Sequence, residues 1–469
     1  MRVLMLGWEF PPFISGGLGT ACYGLTKALS KRQTDVTFVL PKSIGGDYHE
    51  DAQVRLLSPQ SPAAAVGRRE SADVASTYEY QPPIANGEAA DFKHVTFKAV
   101  PARFGHPYPI DHGTRHTESV TSVLGSTDRS VAGQFTAPTG VLADQPGFDE
   151  ATGGTDDDYS GDIISESRRY AALCIDLVQG QAFDVIHAHD WLTFPAGMAI
   201  AAAYGKPLVV HVHSTEFDRS GDNIHQHIYD VERRGMHAAI RVIAVSYLTK
   251  SIIEKNYQVR PDKIDVVYNG IENGQPIESD APEKITIDKG DKVVLFLGRI
   301  TMQKGPEVFI AAAKKVLQKY DKVKFIMAGS GDKVRDVIEL AAREGIGHKV
   351  TFTGFVRGDD VARIFKMADV FVMPSVSEPF GIAPLEAISH DVPVIISKTS
   401  GVSEVLKHAL KVDFWDVDEF ANKILAVLKH PSLGDTLRSN ADLELRKLNW
   451  DGAAQKCLDI YAEAIDAMP

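Results

Sequence analysis

A strand, a glycine-bearing loop, an amphipathic helix and a second strand occur in that order twice. This repetition constrains the fold more than any other feature of the chain. The first copy reads RVLMLGWEFPPFISGGLGTACYGLTKALSKRQTDVTFVLP, and the second, from Lys292, reads KVVLFLGRITMQKGPEVFIAAAKKVLQKYDKVKFIMAG. In each, a short apolar run meets glycine, apolar residues recur at three- and four-residue spacing, and another apolar run follows. That order is the opening of a parallel α/β domain, in which a helix crosses between neighbouring parallel strands.

A chain of 469 residues is too long for one ordinary core, which agrees with two such domains. FDVIHAH, KPLVVHVH, RVIAVS and IDVVYNG continue the first, while KVTFTGF, DVFVMPS and VPVIIS continue the second. The polar, turn-rich stretch between Asn269 and Gly290 marks the change of domain. The predicted organisation is a first domain over residues 1–270, a second over 271–445, and a C-terminal helical segment over 446–469 that packs back on one of them. Residues 58–160, rich in small and polar residues apart from the strand KHVTFKAV, read as an insertion in the first domain, a lid or acceptor-contacting loop.

The net charge of −12 excludes a general nucleic-acid binder and requires local cations wherever an anion is held. Cys22, Cys174 and Cys457 lie far apart without a C-x-x-C, so neither a disulfide framework nor a zinc knuckle is expected, and a reducing cytoplasm is. The apolar run before Gly7 is too short for a signal peptide, and FPAGMAIAAAYG is too short for a membrane span.

Ligands of parallel α/β sheets bind beyond the carboxyl ends of the strands, so the loops there carry the candidate chemistry. Gly16, Gly17 and Gly19 let backbone N–H groups approach a phosphate at a helix start. Arg299 and Lys304 follow the strand VVLFLG, a cation pair suited to a diphosphate. In VIHAHDWLT, His187 is expected in the core, His189 on the loop at a functional site, and Asp190 as the N-cap of the next helix. His213 and Glu216 end the next strand and could line the acceptor side of a cleft. His225 and His227 read as a polar loop, and Asp156 and Asp158 as a solvated acidic loop rather than a metal pair. In SEPFGIAPLEA, Glu378 follows a strand, Phe380 and Gly381 make a bend, and Glu386 lies one turn into a helix. Two carboxylates around an anion-suited bend fit the hydroxyls of a sugar and of a ribose, which with a diphosphate compose a nucleotide sugar.

GGLG, HAHDW, NGI, GR…KG and SEPFG…PLEA, in this order, resemble the retaining glycosyltransferases of the two-Rossmann, or GT-B, type related to glycogen, starch and sucrose synthases. The resemblance covers nearly the whole chain apart from the insertion. It implies an α/β fold of two Rossmann-like domains facing across a cleft, and transfer of a hexose, glucose foremost, from UDP- or ADP-glucose to an α-glucan, or alternatively to another glycoconjugate, polysaccharide or small-molecule acceptor. It further implies that Glu378 meets the transferred sugar, Glu386 the ribose, Arg299 and Lys304 the leaving diphosphate, and His189 the donor sugar. Gly16 and Gly17 would form the diphosphate loop, with Phe380, Gly381 and Ile382 offering main-chain amides. The two cations would replace a metal, so no metal and no cofactor are expected. Ile14 stands where glycogen and starch synthases carry lysine, and those enzymes usually lack the second glutamate, which moves the likeness toward glycosyltransferase family 4.

Two rivals differ in kind. A phosphorylase would need a pyridoxal phosphate lysine, for which no site is evident. A non-catalytic nucleotide-sugar or glycan-binding protein would not need Glu378, Arg299 and Lys304 together. The acceptor, the base and the oligomeric state are not encoded in these motifs.

Overall fold

Strands β1 (Arg2–Leu6), β4 (Val185–His189) and β5 (Leu208–Val212) are almost wholly buried runs without the alternation of a half-exposed sheet. Such strands suit a parallel sheet covered on both faces. In the computed structural model, which describes residues 1–10, 16–43, 91–102, 161–271, 290–356 and 358–468, they form the middle of such a sheet. Its other strands are β2 (Asp35–Ser43), β3 (Val95–Ala102), β6 (Arg241–Ala244) and β7 (Ile264–Val266), in the order β3-β2-β1-β4-β5-β6-β7. The second sheet contains β8 (Lys292–Leu297), β9 (Val323–Ala328), β10 (Val350–Gly354), β11 (Val370–Met373), β12 (Val394–Ser397) and β13 (Leu410–Val412), ordered β10-β9-β8-β11-β12-β13. Every pairing in both sheets is parallel.

Alternate residues of each strand feed separate cores, because side chains along a strand point to opposite faces. In β1, Leu4 and Leu6 enter one apolar cluster while Val3 and Met5 enter another across the sheet. In the second sheet Val294 and Phe296 face one way, Val293 and Leu295 the other. The architecture is therefore two doubly wound α/β units, each a sheet between layers of helices.

Val95–Ala102 corrects the reading of 58–160 as one insertion. It pairs with β2 from Val95↔Val36 to Ala102↔Ser43, as the edge of the first sheet. Residues 58–90 and 103–160 of that proposed lid, including Asp156 and Asp158, lie outside the described residues. The last helix, Trp450–Asp466, packs on the helix Gly17–Lys31 and places Trp450, Cys457 and Tyr461 in a core of the first unit. Gly24 allows that contact, since a Cβ there would lie 2.1 Å from the Trp450 ring. The two crossings between units run side by side, with Ile271 bridged to Asn449.

Candidate active site

In both sheets the strand order reverses at one point, between β1 and β4 and between β8 and β11. The loops beyond such a reversal part to leave a crevice at the strand carboxyl ends. A cleft of about 350 Å³ lies there, lined from the first unit by Gly16, Gly17, Asp190 and His213 and from the second by Arg299, Lys304 and the Glu378–Ile382 segment.

Gly16 precedes the helix Gly17–Lys31 with extended backbone, φ −178°, and Gly17 is its first residue. A Cβ at either position would meet no described residue within 4 Å. Packing among the described residues does not demand these glycines, and what they leave there is room for a close-approaching ligand. Arg299 follows Gly298, and Lys304 ends a short turn that Gly305 closes at φ +65°. The Lys304 ammonium donates to the carboxylate of Glu378, which also accepts from the Ser375 hydroxyl at 3.3 Å. The Glu378 backbone is fixed as well, its N–H on Thr399 O at 3.0 Å and its carbonyl receiving Gly401 N–H at 2.9 Å. Glu378 is thus only 7% exposed and held from every side before a ligand arrives.

The Phe380 ring is buried in a core beside Tyr268 at 5.9 Å, and the residue borders the cleft. Gly381, at φ +105°, makes the bend, and Ile382 leads into the helix Ala383–Ser389. Glu386 borders the cleft from that helix, and its burial pushes the carboxyl up to about 7.

Three residues are placed differently from the sequence expectation. Asp190 is not the N-cap of the helix Phe194–Tyr204; Thr193 is. Asp190 instead turns at φ +57° and accepts the N–H groups of His213 at 2.7 Å and Ser214 at 3.4 Å. Burial nevertheless pushes its carboxyl up to about 7. His189 is not on a loop: it ends β4, is 0% exposed and does not border the cleft. Glu216 is also 0% exposed and turns away, paired with Arg219 at 3.1 Å and accepting from the Ser220 hydroxyl at 2.7 Å. Arg219 also binds Glu232, so this carboxylate belongs to a buried ion network. His213 does border the cleft.

His187, His189, His211 and His213 form a two-by-two array. His187 Nε2 meets His211 Nδ1 at 3.2 Å with the ring planes 12° from parallel, and His189 Nδ1 meets His213 Nε2 at 2.9 Å. These two edge-to-edge pairs stack on each other, with centroids 4.2 Å apart from His187 to His189 and from His211 to His213. Tyr461 of the last helix hydrogen-bonds His187 Nδ1. Burial holds the rings neutral: it lowers His187 and His213 to about 3 and puts His189 and His211 well below the ordinary histidine value. Among the described residues His187, His189 and His211 are the one trio close enough for a shared cation. Their nitrogens are turned on neighbouring rings in near-parallel planes, whereas a cation needs lone pairs that converge.

Other contributors had no distinct sequence signal. Gly329 and Ser330, after β9, border the cleft beside Arg299. Gly329 has φ +142°, and a Cβ there would lie 1.9 Å from Gly298 O. Gly329→Ala is expected to lower stability by about 2–4 kcal/mol, because neither backbone can yield without moving the Arg299 loop. An unchanged melting temperature would show that the loop shifts freely. Ser377 donates across the units to Asp218 at 2.6 Å, and Asp218 is itself fixed by Thr215 N–H at 2.8 Å.

Comparison with known proteins supplies the family. Residues 278–443 match the family described as Glycosyl transferases group 1, 160–274 match Glycosyltransferase Family 4, and 2–109 match the Starch synthase catalytic domain. An uncharacterised glycosyltransferase of Methanocaldococcus jannaschii is 35% identical over 61% of this chain and 77% of its own length. This chain belongs to the GT-B glycosyltransferases of the group 1 and family 4 type. A D-inositol 3-phosphate glycosyltransferase of Pseudarthrobacter chlorophenolicus is 28% identical over 61% of this glycosyltransferase and 71% of its own length. Among solved structures, sucrose-phosphate synthase from Thermosynechococcus elongatus superposes with a TM-score of 0.67 at 16% identity, covering 99% of both chains. Anabaena HepE in complex with UDP and glucose gives 0.63 at 16% identity, covering 99% of this glycosyltransferase and 100% of HepE. These two share the fold.

Proposed function

We propose that this glycosyltransferase moves a hexose, glucose foremost, from a nucleoside diphosphate sugar to an acceptor hydroxyl with retention of anomeric configuration. The observation that carries the reading is the Lys304–Glu378 pair, set with Arg299 and Glu386 around one cleft between the two units. Arg299 and Lys304 neutralise the leaving diphosphate, Gly16, Gly17 and the Gly381–Ile382 amides approach donor oxygens, Glu378 holds sugar hydroxyls, and Glu386 holds the ribose. The second unit is then the donor domain and the first the acceptor domain. HepE was solved with UDP-glucose, which supports uridine as the base.

An α-glucan is the first choice of acceptor, supported by the starch synthase match over residues 2–109. A small polyol phosphate is the second, favoured by the likeness to D-inositol 3-phosphate glycosyltransferases. The reaction on this reading is a same-face displacement, in which the departing phosphate receives the acceptor proton while the two cations stabilise its growing charge. No helix among the described residues is long and apolar enough to cross a membrane, and Cys22, Cys174 and Cys457 are unpaired and buried. Both facts fit a place of work in the cytoplasm.

Release of nucleoside diphosphate from UDP-glucose and ADP-glucose should be measured with glycogen, with an inositol phosphate, and with neither. Release that requires an acceptor supports transfer, and binding without release would support the non-catalytic alternative. The same assay in excess chelator should keep its rate, since two cations already stand by the diphosphate. A rate abolished by chelator and restored by Mg²⁺ or Mn²⁺ would overturn metal independence.

A further inference from the structure

We infer that His213 presents an Nδ1–H donor to the cleft, and that His189, buried behind it, is the positioning residue that fixes this tautomer. The sugar-oxygen role given below rests on the proposed function; the tautomer does not.

Each neutral imidazole carries one N–H and one bare nitrogen, so the bond between His189 Nδ1 and His213 Nε2 has two possible directions. In one, His213 donates from Nε2, and the His189 proton must sit on Nε2. Among the described residues His189 Nε2 is buried without a partner, so that arrangement would orphan a buried N–H. In the other, His189 donates from Nδ1, its Nε2 is a bare lone pair, and the His213 proton sits on Nδ1. An orphaned buried donor is rarer and costlier than an unfilled acceptor, so the second direction wins. The same reasoning applies to the stacked pair, where His211 Nε2 is also buried without a partner among the described residues. There the preferred direction runs from His211 Nδ1 through His187 to the Tyr461 oxygen.

His213 Nδ1 is the ring atom left over once Nε2 is taken by His189, and His213 borders the cleft. Its backbone is held by the Asp190 carboxylate at 2.7 Å, so both the main chain and the ring are fixed without a ligand. A neutral, rigid N–H donor suits a neutral oxygen rather than a phosphate, which the cations of the facing unit serve. The geometry therefore assigns His213 to a hydroxyl or ring oxygen of the sugar, and gives His189 an indirect role through His213.

The test begins with the unaltered full chain labelled with ¹⁵N-histidine. Long-range proton–nitrogen spectra report which ring nitrogen carries hydrogen, and the His213 signals are identified by their loss in His213→Gln. The expected result is a protonated Nδ1 and a bare Nε2 on His213. Hydrogen on Nε2 would overturn the proposal, whatever the substrate. In His189→Phe the constraint goes, and the proton should move toward Nε2, the position a free side chain favours; a retained Nδ1–H would remove the positioning role from His189. His213→Leu should lower kcat/KM for the donor sugar roughly tenfold, the scale of one lost hydrogen bond, with nucleoside diphosphate affinity unchanged and partial recovery in His213→Gln. An unchanged kcat/KM would overturn the sugar contact. If no nucleotide sugar is turned over at all, the proposed function fails while the spectra still decide the tautomer.

Discussion

Lys304→Ala is expected to lower kcat by about 10²–10³-fold, the scale found when one preorganised group is removed from developing transition-state charge. Lys304 is placed for this by chain geometry rather than by chance. It ends a turn closed by Gly305, where a Cβ would lie 2.2 Å from Pro374 O, so the turn sits directly against the segment leading to Glu378. The ammonium already engages the Glu378 carboxylate, and its side chain is 21% exposed, open enough to meet a ligand as well. Departure of a nucleoside diphosphate builds charge on its outer phosphate, so a fixed cation gains strength as the glycosidic bond breaks. The diphosphate is also charged in the ground state, and its affinity should fall too, by less than kcat. Lys304→Arg should recover part of the rate, because charge is restored without the same point geometry. Single-turnover rates and nucleoside diphosphate titrations on the two variants check this. Near-normal turnover with lost affinity would make Lys304 a ground-state anchor alone.

The sheets were legible because buried parallel strands leave continuous apolar runs that polar loops cannot imitate. β3 was harder: it arrives after a long polar stretch, and a strand's membership in a sheet depends on its partner β2, not on its own neighbours in sequence. His189 was misplaced for a local reason. HAHD reads as a strand running into a loop, yet β4 continues through His189 and turns only at Asp190. Two H-x-H pairs at the ends of successive strands, His187 with His189 and His211 with His213, were the available signal, since period-two spacing puts each pair on one face. Glu216 had a cue in Arg219, three residues on along a helix, a spacing that favours an ion pair over an open carboxylate. The bond from Ser377 to Asp218 joins residues too distant in the chain for any local pattern to reveal.

The nucleoside diphosphate affinity of the wild type relative to Glu386→Gln is expected to rise about tenfold between pH 6 and pH 8. Burial raises the Glu386 carboxyl from 4.5 to about 7, so in the empty cleft it is half protonated near neutrality. No side-chain partner among the described residues holds it in either form. Ribose hydroxyls donate hydrogen bonds, and a carboxylate accepts them better than a carboxylic acid, so binding selects the ionised form. The apparent dissociation constant then scales with one plus the ratio of protonated to ionised carboxyl, a factor of about ten across this range. Glu386→Gln should lack this factor and bind weakly throughout. The ligand's own phosphate and the Asp190 carboxyl, also raised to about 7, titrate in the same window. The ratio of wild type to variant affinity at each pH removes the first, and an Asp190→Asn background removes the second. Stability of the empty protein carries the opposite sign. The folded carboxyl lies above its unfolded value, so the folded state binds more protons and stability falls as pH rises between about 4.5 and 7. Glu386→Gln should therefore melt higher than the wild type above pH 7 without ligand, and lose that advantage when nucleotide saturates the site. A wild-type affinity independent of pH, or a ratio to Glu386→Gln that stays constant from pH 6 to 8, would remove Glu386 from the ribose.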